Sequence, residues 1–441
     1  MILSLVQAFV ILWLPVELWK YCPGSSCPIL SFNLLLDNLS VVVLLTIAII
    51  LFVTTLVGYN TVKGDNSRFN FVNLLITALI GLNGIVLVTD LFSMYVFMEV
   101  ISIASFILIA MEKDKDALEG TFKYIVLSMI ATVLMLMSLA VLILISGGTS
   151  FVLLKAVFQE VPHRTLAVIA AVLFMAGLFI KGGLVPFHGW VPDAYSSAPN
   201  AVSVFLAGIV TKTAGIYTMI RLVTAVFGFS GYVKELLLIF GALSIVAGAF
   251  AALGQNDFKR MLAYSSISQV GYIIIGLGTG SALGIAGAVF HFFNHAVFKS
   301  LLFINAAAVE KQTGTRDMDK LGGLAGRMPV TGGSSIVAAL STSGIPPLSG
   351  FWSKLIIIIA LWKSADYSYA VIAVLASLLT LAYFLYLQKK IFFGKLAAGL
   401  EGIKEVDMGL LIPQVILALI IIGVGLLFPI VLKNLILPIG L

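Results

Sequence analysis

Five charged side chains lie inside apolar runs, where a water-facing charge has no place: Glu99, Lys181, Lys212, Lys299 and Lys354. A charge at the bilayer centre costs at least about 2.5–3.5 kcal/mol even on insertion scales, so a residue kept there is usually paired or functional. Snorkelling rescues a lysine close to an interface. It does not rescue Lys212, which sits in VFLAGIVTKTAGIYTMI with apolar residues on both sides, or Glu99, whose stem is short. A further run reads GAVFHFFNHAVFKSLLFINAAA, so that His291, His295 and Lys299 recur every four residues and stack on one helical face. Three titratable bases on one stripe can pass a proton. The rival chemistry for the two histidines is a metal site, but no nearby carboxylate or thiol completes a ligand set.

Two further features belong with this line of charges. RMLAYSSISQVGYIII places Ser265, Ser268, Gln269 and Tyr272 at spacings that could hold hydrogen-bonded water beside the histidine stripe. Serines bonding back to their own helix are the simpler explanation for part of that set. Two apolar runs are broken in the middle. LFIKGGLVPFHGWVPDAYSSAPNA has Gly182, Gly183 and Pro186 directly after Lys181, and STSGIPPLSGFWSKLIIII has Gly344, Pro346, Pro347 and Gly350 just before Lys354. Proline removes a backbone donor and opens a helix. Open backbone at membrane depth is tolerated where it lines a cavity or binds an ion.

The elements that hold these residues must be membrane helices. Of 441 residues, 61% are hydrophobic and 10% charged, where soluble domains carry roughly a quarter charged residues. The apolar runs last about 20 residues, the length that crosses a bilayer as a helix, and shorter alternating segments of a β-barrel are missing. Thirteen spans are expected, roughly at 2–19, 38–59, 70–90, 92–111, 121–147, 165–188, 199–222, 235–254, 260–278, 282–309, 329–362, 367–388 and 409–431. The broken spans are five helices apart. Two five-helix units, 70–222 and 235–390, would then have opposite topology, flanked by N-terminal helices in 1–69 and a final helix in 391–441. Paired interruptions in inverted repeats point to a transport site.

The net charge of +6 is explained by loops on one side of the membrane, not by a nucleic-acid surface. Fifteen Lys and Arg fall on one side and seven on the other, counting Arg221 and Lys259 among loop charges. The richer side is expected in the cytoplasm, with the N-terminus inside, in the cell membrane. The run at 2–19 lacks a basic start and a small-residue cleavage site and is expected to be a retained helix. Cys22 and Cys27 then lie outside, where either a disulfide or two free thiols would fit. No connection is long enough for a soluble catalytic domain. No iron–sulfur cysteine set, dinucleotide fingerprint or P-loop is present. The chain is therefore expected to hold no cofactor and to run on an ion gradient or on partner subunits.

At KGGLVPFHGWVPDAYSSAPNAVS, DFKRMLAYSSISQVGY, FHFFNHAVFKSLLF and SGIPPLSGFWSK the chain resembles the antiporter-like subunits of respiratory complex I. Relatives in that superfamily are Mrp-type sodium/proton antiporters and the membrane arms of energy-converting hydrogenases. The resemblance runs from FNLLLDNLS at 32–40 to the last spans. It implies that Glu99 is the family's membrane glutamate and Lys181 the lysine that pairs with it. Lys212 would be the next basic group, His291, His295 and Lys299 the central relay, and Lys354 the lysine beside the second break. It also implies other membrane subunits as partners, and peripheral subunits carrying the iron–sulfur clusters of a redox-driven complex. Family members usually have one more helix before LDNLS, and the largest member has a long lateral C-terminal helix with no counterpart here.

The residues and the resemblance converge on a proton relay. Burial disfavours a lysine's charge, and an adjacent carboxylate restores it. Unit charges about 4 Å apart interact by roughly 4 kcal/mol at an effective dielectric of about 20, enough to switch a lysine between loaded and empty. Sodium would want several oxygen ligands, whereas this axis has mainly nitrogen bases. A carrier for an organic solute would share the broken helices but leave the string of lysines unexplained. A structural scaffold would leave the buried charges unexplained as well.

Overall fold

The computed structural model describes residues 1–8, 27–28, 34–159 and 164–439. Residues 2–8 are helical. The rest of the expected first span lies outside the described residues, as does Cys22 and with it the question of a Cys22–Cys27 disulfide. The long helices that follow are α1 Asn38–Thr61, α2 Asp65–Leu87, α3 Leu91–Ile109 and α4 Lys115–Ser146. A short α5, Phe151–Gln159, leads to the first broken pair, α6 Arg164–Gly182 and α7 Trp190–Ser197. Then come α8 Asn200–Phe227, α9 Gly231–Leu253, α10 Phe258–Gly278 and α11 Ala282–Thr313. The second broken pair is α12 Pro329–Ser343 and α13 Ser349–Lys363, followed by α14 Tyr367–Ile391, α15 Met408–Leu426 and a single turn, α16, Phe428–Val431. Cys27–Pro28 pairs antiparallel with Leu35–Leu36.

Local sequence sets where these helices start and stop. Asp37, Asp90, Asp114 and Asp257 cap α1, α3, α4 and α10, each accepting from a backbone N–H three residues on at 2.7–2.8 Å. Gly147 and Gly314 end α4 and α11 in the left-handed conformation, at φ 71° in both.

Eleven helices among the described residues are long and apolar enough to cross a bilayer, counting α6 and α7 as one. The expected span at 329–362 is not among them because the break divides it into two helices of 15 residues each. The layering shows where the site sits. The most apolar window of α8 is 100% buried, and those of α10 and α11 are 94% buried, against 33% for α4 and 39% for α14. Lys212, the histidine stripe and its serine neighbours therefore lie on the central helices, and α4, α14 and α15 wrap the outside.

Candidate functional site

The pair at one end of the axis is made by three helices. Lys181, on the last turn of α6, donates to Glu99 Oε1 of α3 at 3.1 Å, and to Ser102 and Ser128 Oγ at 2.7 Å each. Its three ammonium donors are thus all met. Thr132 donates to the same Glu99 oxygen at 2.8 Å. The lysine side chain is 1% exposed and the glutamate 25%. Glu99 reaches the outer surface on the face of α3 that carries the exposed Phe92, Val96 and Ile103.

The break after Lys181 keeps its backbone satisfied. Gly183 takes φ 68°, and Leu184 N–H bonds back to Phe179 at 3.0 Å. Val185 N–H finds Ser244 Oγ at 3.0 Å, and the Trp190 indole closes on Ile180 O at 3.0 Å. Trp190 stacks on Tyr124 of α4 at 4.0 Å between centroids. The break is a fixed junction, fastened by side chains from α4, α7 and α9.

Close helix crossings carry the axis inward. A Cβ on Gly215 would collide with the backbone of Gly182, so α8 crosses α6 at the residue after Lys181. A Cβ on Gly208 would collide with Ser300 Oγ, so α8 meets α11 at the residue after Lys299. Lys212 lies between the two crossings. There α8 widens into π-helical turns at Leu206–Val210 and Lys212–Tyr217, and Lys212 Nζ donates to Ala207 O in a short hydrogen bond. Lys212 is 1% exposed. It is joined to Lys181 by the helix crossing, not by a direct hydrogen bond.

On α11 the expected stripe forms and is fully enclosed. His291, His295 and Lys299 are each 0% exposed. The two imidazole centroids are 6.3 Å apart, with ring planes tilted by only 15°. His295 is within electrostatic reach of Lys212, Lys299 and Lys354. Neither of its ring nitrogens has a protein partner, and His291 Nε2 has none either. Buried polar atoms in that state are places for ordered water. Lys299 donates to Leu262 O at 3.1 Å and to Ser265 Oγ in a short bond. Of the other three polar residues on α10, Ser268 bonds to Ile245 O on α9 at 3.0 Å. Gln269 meets Thr380 at 3.5 Å. The Tyr272 hydroxyl meets Ala373 O at 2.7 Å and Ser377 at 2.9 Å.

At the far end, His291 Nδ1 is 2.9 Å from Ser353 Oγ, next to Lys354 on α13. Lys354 is 3% exposed, and its Nζ has no hydrogen-bond partner among the described residues. Its ammonium position lies 4.3 Å from the centroid of the Tyr272 ring, a cation–π contact. The break before it is fixed as firmly as the first. Gly344 takes φ 81°, Gly350 N–H bonds to Ser341 Oγ at 3.1 Å, and Asn294 holds Ser349 O at 3.0 Å. The Trp352 indole closes on Gly425 O of α15 at 3.0 Å.

Several charged pairs around the axis escape a reading of the sequence. Arg221, counted above with the loop charges, is 3% exposed within α8. It binds Asp37 through both guanidinium nitrogens, at 2.5 and 2.8 Å, across 184 residues. Burial raises the Asp37 carboxyl, but Arg221 outweighs it and holds the group below the usual carboxylate range. Lys259, also counted as a loop charge, is 2% exposed and pairs with Glu310 at 3.0 Å. Asp193 of the VPDA sequence joins Lys123 of α4, at 2.7 Å, to Arg260 of α10. It ties the two broken-helix units together on one face. Each partner lies in a different run of sequence, so spacing carries no signal for any of these pairs.

Comparison with known proteins places this geometry. The profile of a family described as NADH:quinone oxidoreductase/Mrp antiporter, transmembrane, matches residues 88–380. The chain is 36% identical over 325 residues to an Na(+)/H(+) antiporter subunit of Alkalihalophilus pseudofirmus, covering 74% of this chain and 66% of that protein. It is 33% identical over 373 residues to an NADH-quinone oxidoreductase subunit of Desulforudis audaxviator, covering 83% and 74%. Among solved structures, it superposes on a chain of the membrane-bound sulfane sulfur reductase, an archaeal respiratory membrane complex. The TM-score there is 0.86 at 29% identity, over 95% of this chain and 71% of that one. The chain thus spans about two thirds to three quarters of the length of these relatives.

Proposed function

Because the chain belongs to the NADH:quinone oxidoreductase/Mrp antiporter transmembrane family, we propose that it moves protons along the line Glu99, Lys181, Lys212, His291, His295, Lys299 and Lys354. On this reading it is the antiporter-like membrane subunit of a multi-subunit respiratory complex. The observation that carries the reading is the Glu99–Lys181 pair at 3.1 Å, deep among apolar helices, with buried bases continuing from it that have no carboxylate of their own. A relay needs groups that gain and lose charge at small cost, with water between them. The unpartnered nitrogens of His291, His295 and Lys354 provide such places.

Partners follow from Glu99. A carboxylate 25% exposed on an apolar lateral face would otherwise meet lipid, so a neighbouring membrane subunit is expected to cover it. The relatives are themselves named as subunits. Redox partners with iron–sulfur clusters would supply the drive, since the sequence has no cofactor motif and a likeness to a respiratory membrane complex supports that setting. The Lys/Arg-rich side would face the cytoplasm. The units 70–222 and 235–390, each with one broken helix beside a lysine, would act as inverted halves of one carrier. The 36% identity to an Na(+)/H(+) antiporter subunit favours a second reading, exchange of sodium for protons driven by a gradient.

Isolating the native complex through this chain and identifying its companions by mass separates the two. Iron–sulfur subunits in stable proportion support the redox-driven reading. Small membrane subunits alone support the gradient-driven one.

A further inference from the structure

A second polar file runs through the molecule away from the charged axis, along one face of α12. Thr331, Ser334, Ala338 and Ser341 follow at intervals of three, four and three residues, which puts them on one stripe about 15 Å long. All four are buried, none more than 6% exposed. The lower end reaches the Lys/Arg-rich side at Glu405. Its carboxylate accepts from Thr331 Oγ1 at 2.6 Å and from the N–H groups of Val330 and Thr331 at 2.8 and 3.2 Å. The upper end is the second break, where Ser341 meets Ser349 at 3.5 Å and the chain turns towards Lys354.

Three amide side chains face this stripe, and each is left half-satisfied. Gln414 of α15 meets Thr331 through Oε1 at 3.2 Å, and its Nε2 has no partner. Asn305 of α11 accepts from Ser334 at 3.0 Å, and its Nδ2 has no partner. Asn294, three turns further along α11, holds Ser349 O at 3.0 Å through Nδ2, and its Oδ1 has no partner. All three side chains are at most 1% exposed. An orphaned amide end costs about 1–3 kcal/mol unless it meets water. Flipping the amides only exchanges which end is orphaned. Three such ends in sequence along a stripe of hydroxyls, with only the methyl of Ala338 between stations, describe a chain of water sites.

We propose that this stripe is a water-filled access path that delivers protons from the Lys/Arg-rich surface at Glu405 to the second break and Lys354. It rests on the relay reading for what happens beyond Lys354, but the file itself does not. Hydroxyls and amides can hand a proton along bound water without carrying charge themselves. That suits a path that must load an end group having no carboxylate of its own.

The test is a cysteine at the narrow station, Ala338→Cys, with Cys22→Ser and Cys27→Ser, in the assembled complex. A thiol reacts as thiolate and needs water to do so. A membrane-impermeant cationic methanethiosulfonate should label it from the Lys/Arg-rich face, in everted but not right-side-out vesicles. Labelling should lower coupled proton transport at least tenfold. The equally buried Ala131→Cys on α4 should stay unlabelled. If Ala338→Cys impairs assembly, Ser334→Cys gives the same readout with a one-atom change. The proposal is overturned by no labelling in an assembled complex, by labelling only from the opposite face, or by labelling that leaves transport unchanged. Because labelling is read without transport, failure of the relay reading (Glu99→Gln still transporting) leaves this result distinct.

Discussion

Removing the charge of Glu99 while keeping its shape tests the relay at its strongest contact. Glu99 Oε1 lies 3.1 Å from Lys181 Nζ. Two unit charges at that distance interact by about 5 kcal/mol at an effective dielectric of about 20. The glutamate is 25% exposed, so solvent screening lowers the working figure to about 3 kcal/mol. That is about a hundredfold in the balance between proton-loaded and empty Lys181. Glu99→Gln should therefore lower coupled proton transport by about two orders of magnitude, while the amide oxygen still accepts from Thr132. Glu99→Asp keeps the charge but withdraws it by one methylene. It should cost about 1 kcal/mol, roughly fivefold, by the same distance argument. The assay is dye-reported proton movement in everted vesicles, driven by the native electron donor or an imposed sodium gradient. Complex assembly is checked on native gels. Transport by Glu99→Gln within twofold of the natural protein, in a fully assembled complex, would refute the reasoning. Equal loss in the Gln and Asp variants would refute the electrostatic part of it.

Ser102→Ala with Ser128→Ala removes two acceptors, each 2.7 Å from the Lys181 ammonium. Hydrogen bonds to a charged group contribute about 1.5–3 kcal/mol each, so the double variant should slow transport at least tenfold in the same vesicles. Gly215→Ala drives a methyl into the Gly182 backbone and should force α6 and α8 apart. Overpacking of this kind costs about 1–3 kcal/mol, so both the melting temperature in detergent and transport should fall. Asp37→Asn should lower stability by about 2 kcal/mol near pH 7, less than a fully buried broken pair because Asp37 is 27% exposed. Its carboxyl titrates below the usual range when folded, so the pair stabilises the protein above the unfolded value of about 3.9 and stops doing so as pH falls through the folded value. Thermal melts between pH 7 and pH 3 should therefore drop more steeply for the natural protein than for Asp37→Asn.

The sequence makes some of this site readable and conceals the rest for identifiable reasons. Lys212 announces itself because a charge amid apolar residues is costly whatever surrounds it. The two breaks announce themselves because Gly182–Gly183 and Pro346–Pro347 cannot continue a helix, and they lie where α6 and α12 end. The hydroxyls that cradle Lys181 carry no such mark. Ser102, Ser128 and Thr132 look like any helix serines and threonines bonded to their own backbone, and Ser102 and Thr132 do also make that bond, at 2.8 and 2.9 Å. The π-helical turns around Lys212 are equally silent, since no residue type demands them. Arg221 and Lys259 pass for loop charges because counting from the ends of apolar runs cannot see a carboxylate brought in from elsewhere. Asp37 is 184 residues away from Arg221. The first span and the cysteine loop fall outside the described residues, and the expected total of thirteen spans is matched by eleven long apolar helices among those described.

On the relay reading, the two ends of the axis differ in a way that bears on direction. Lys181 faces a carboxylate and two hydroxyls, whereas Lys354 faces only the π-surface of Tyr272. A desolvated cation–π contact contributes about 2 kcal/mol or somewhat more. The charge-assisted bonds at Lys181 together exceed that. An excess proton thus meets a deeper well at the Glu99 end and a shallower one at the Lys354 end. The deep well is also the adjustable one. Glu99 is 25% exposed on a lateral face, where a charge in a neighbouring subunit can reach it, while Lys354 is enclosed at 3% exposure. Any partner that draws Glu99 away raises the energy of a proton on Lys181 and pushes it inward past Lys212. The same movement leaves Lys354 untouched, because no carboxylate there answers to the outside. External drive therefore acts at the carboxylate end, and loading or release at the other end depends on water and on the geometry of the second break.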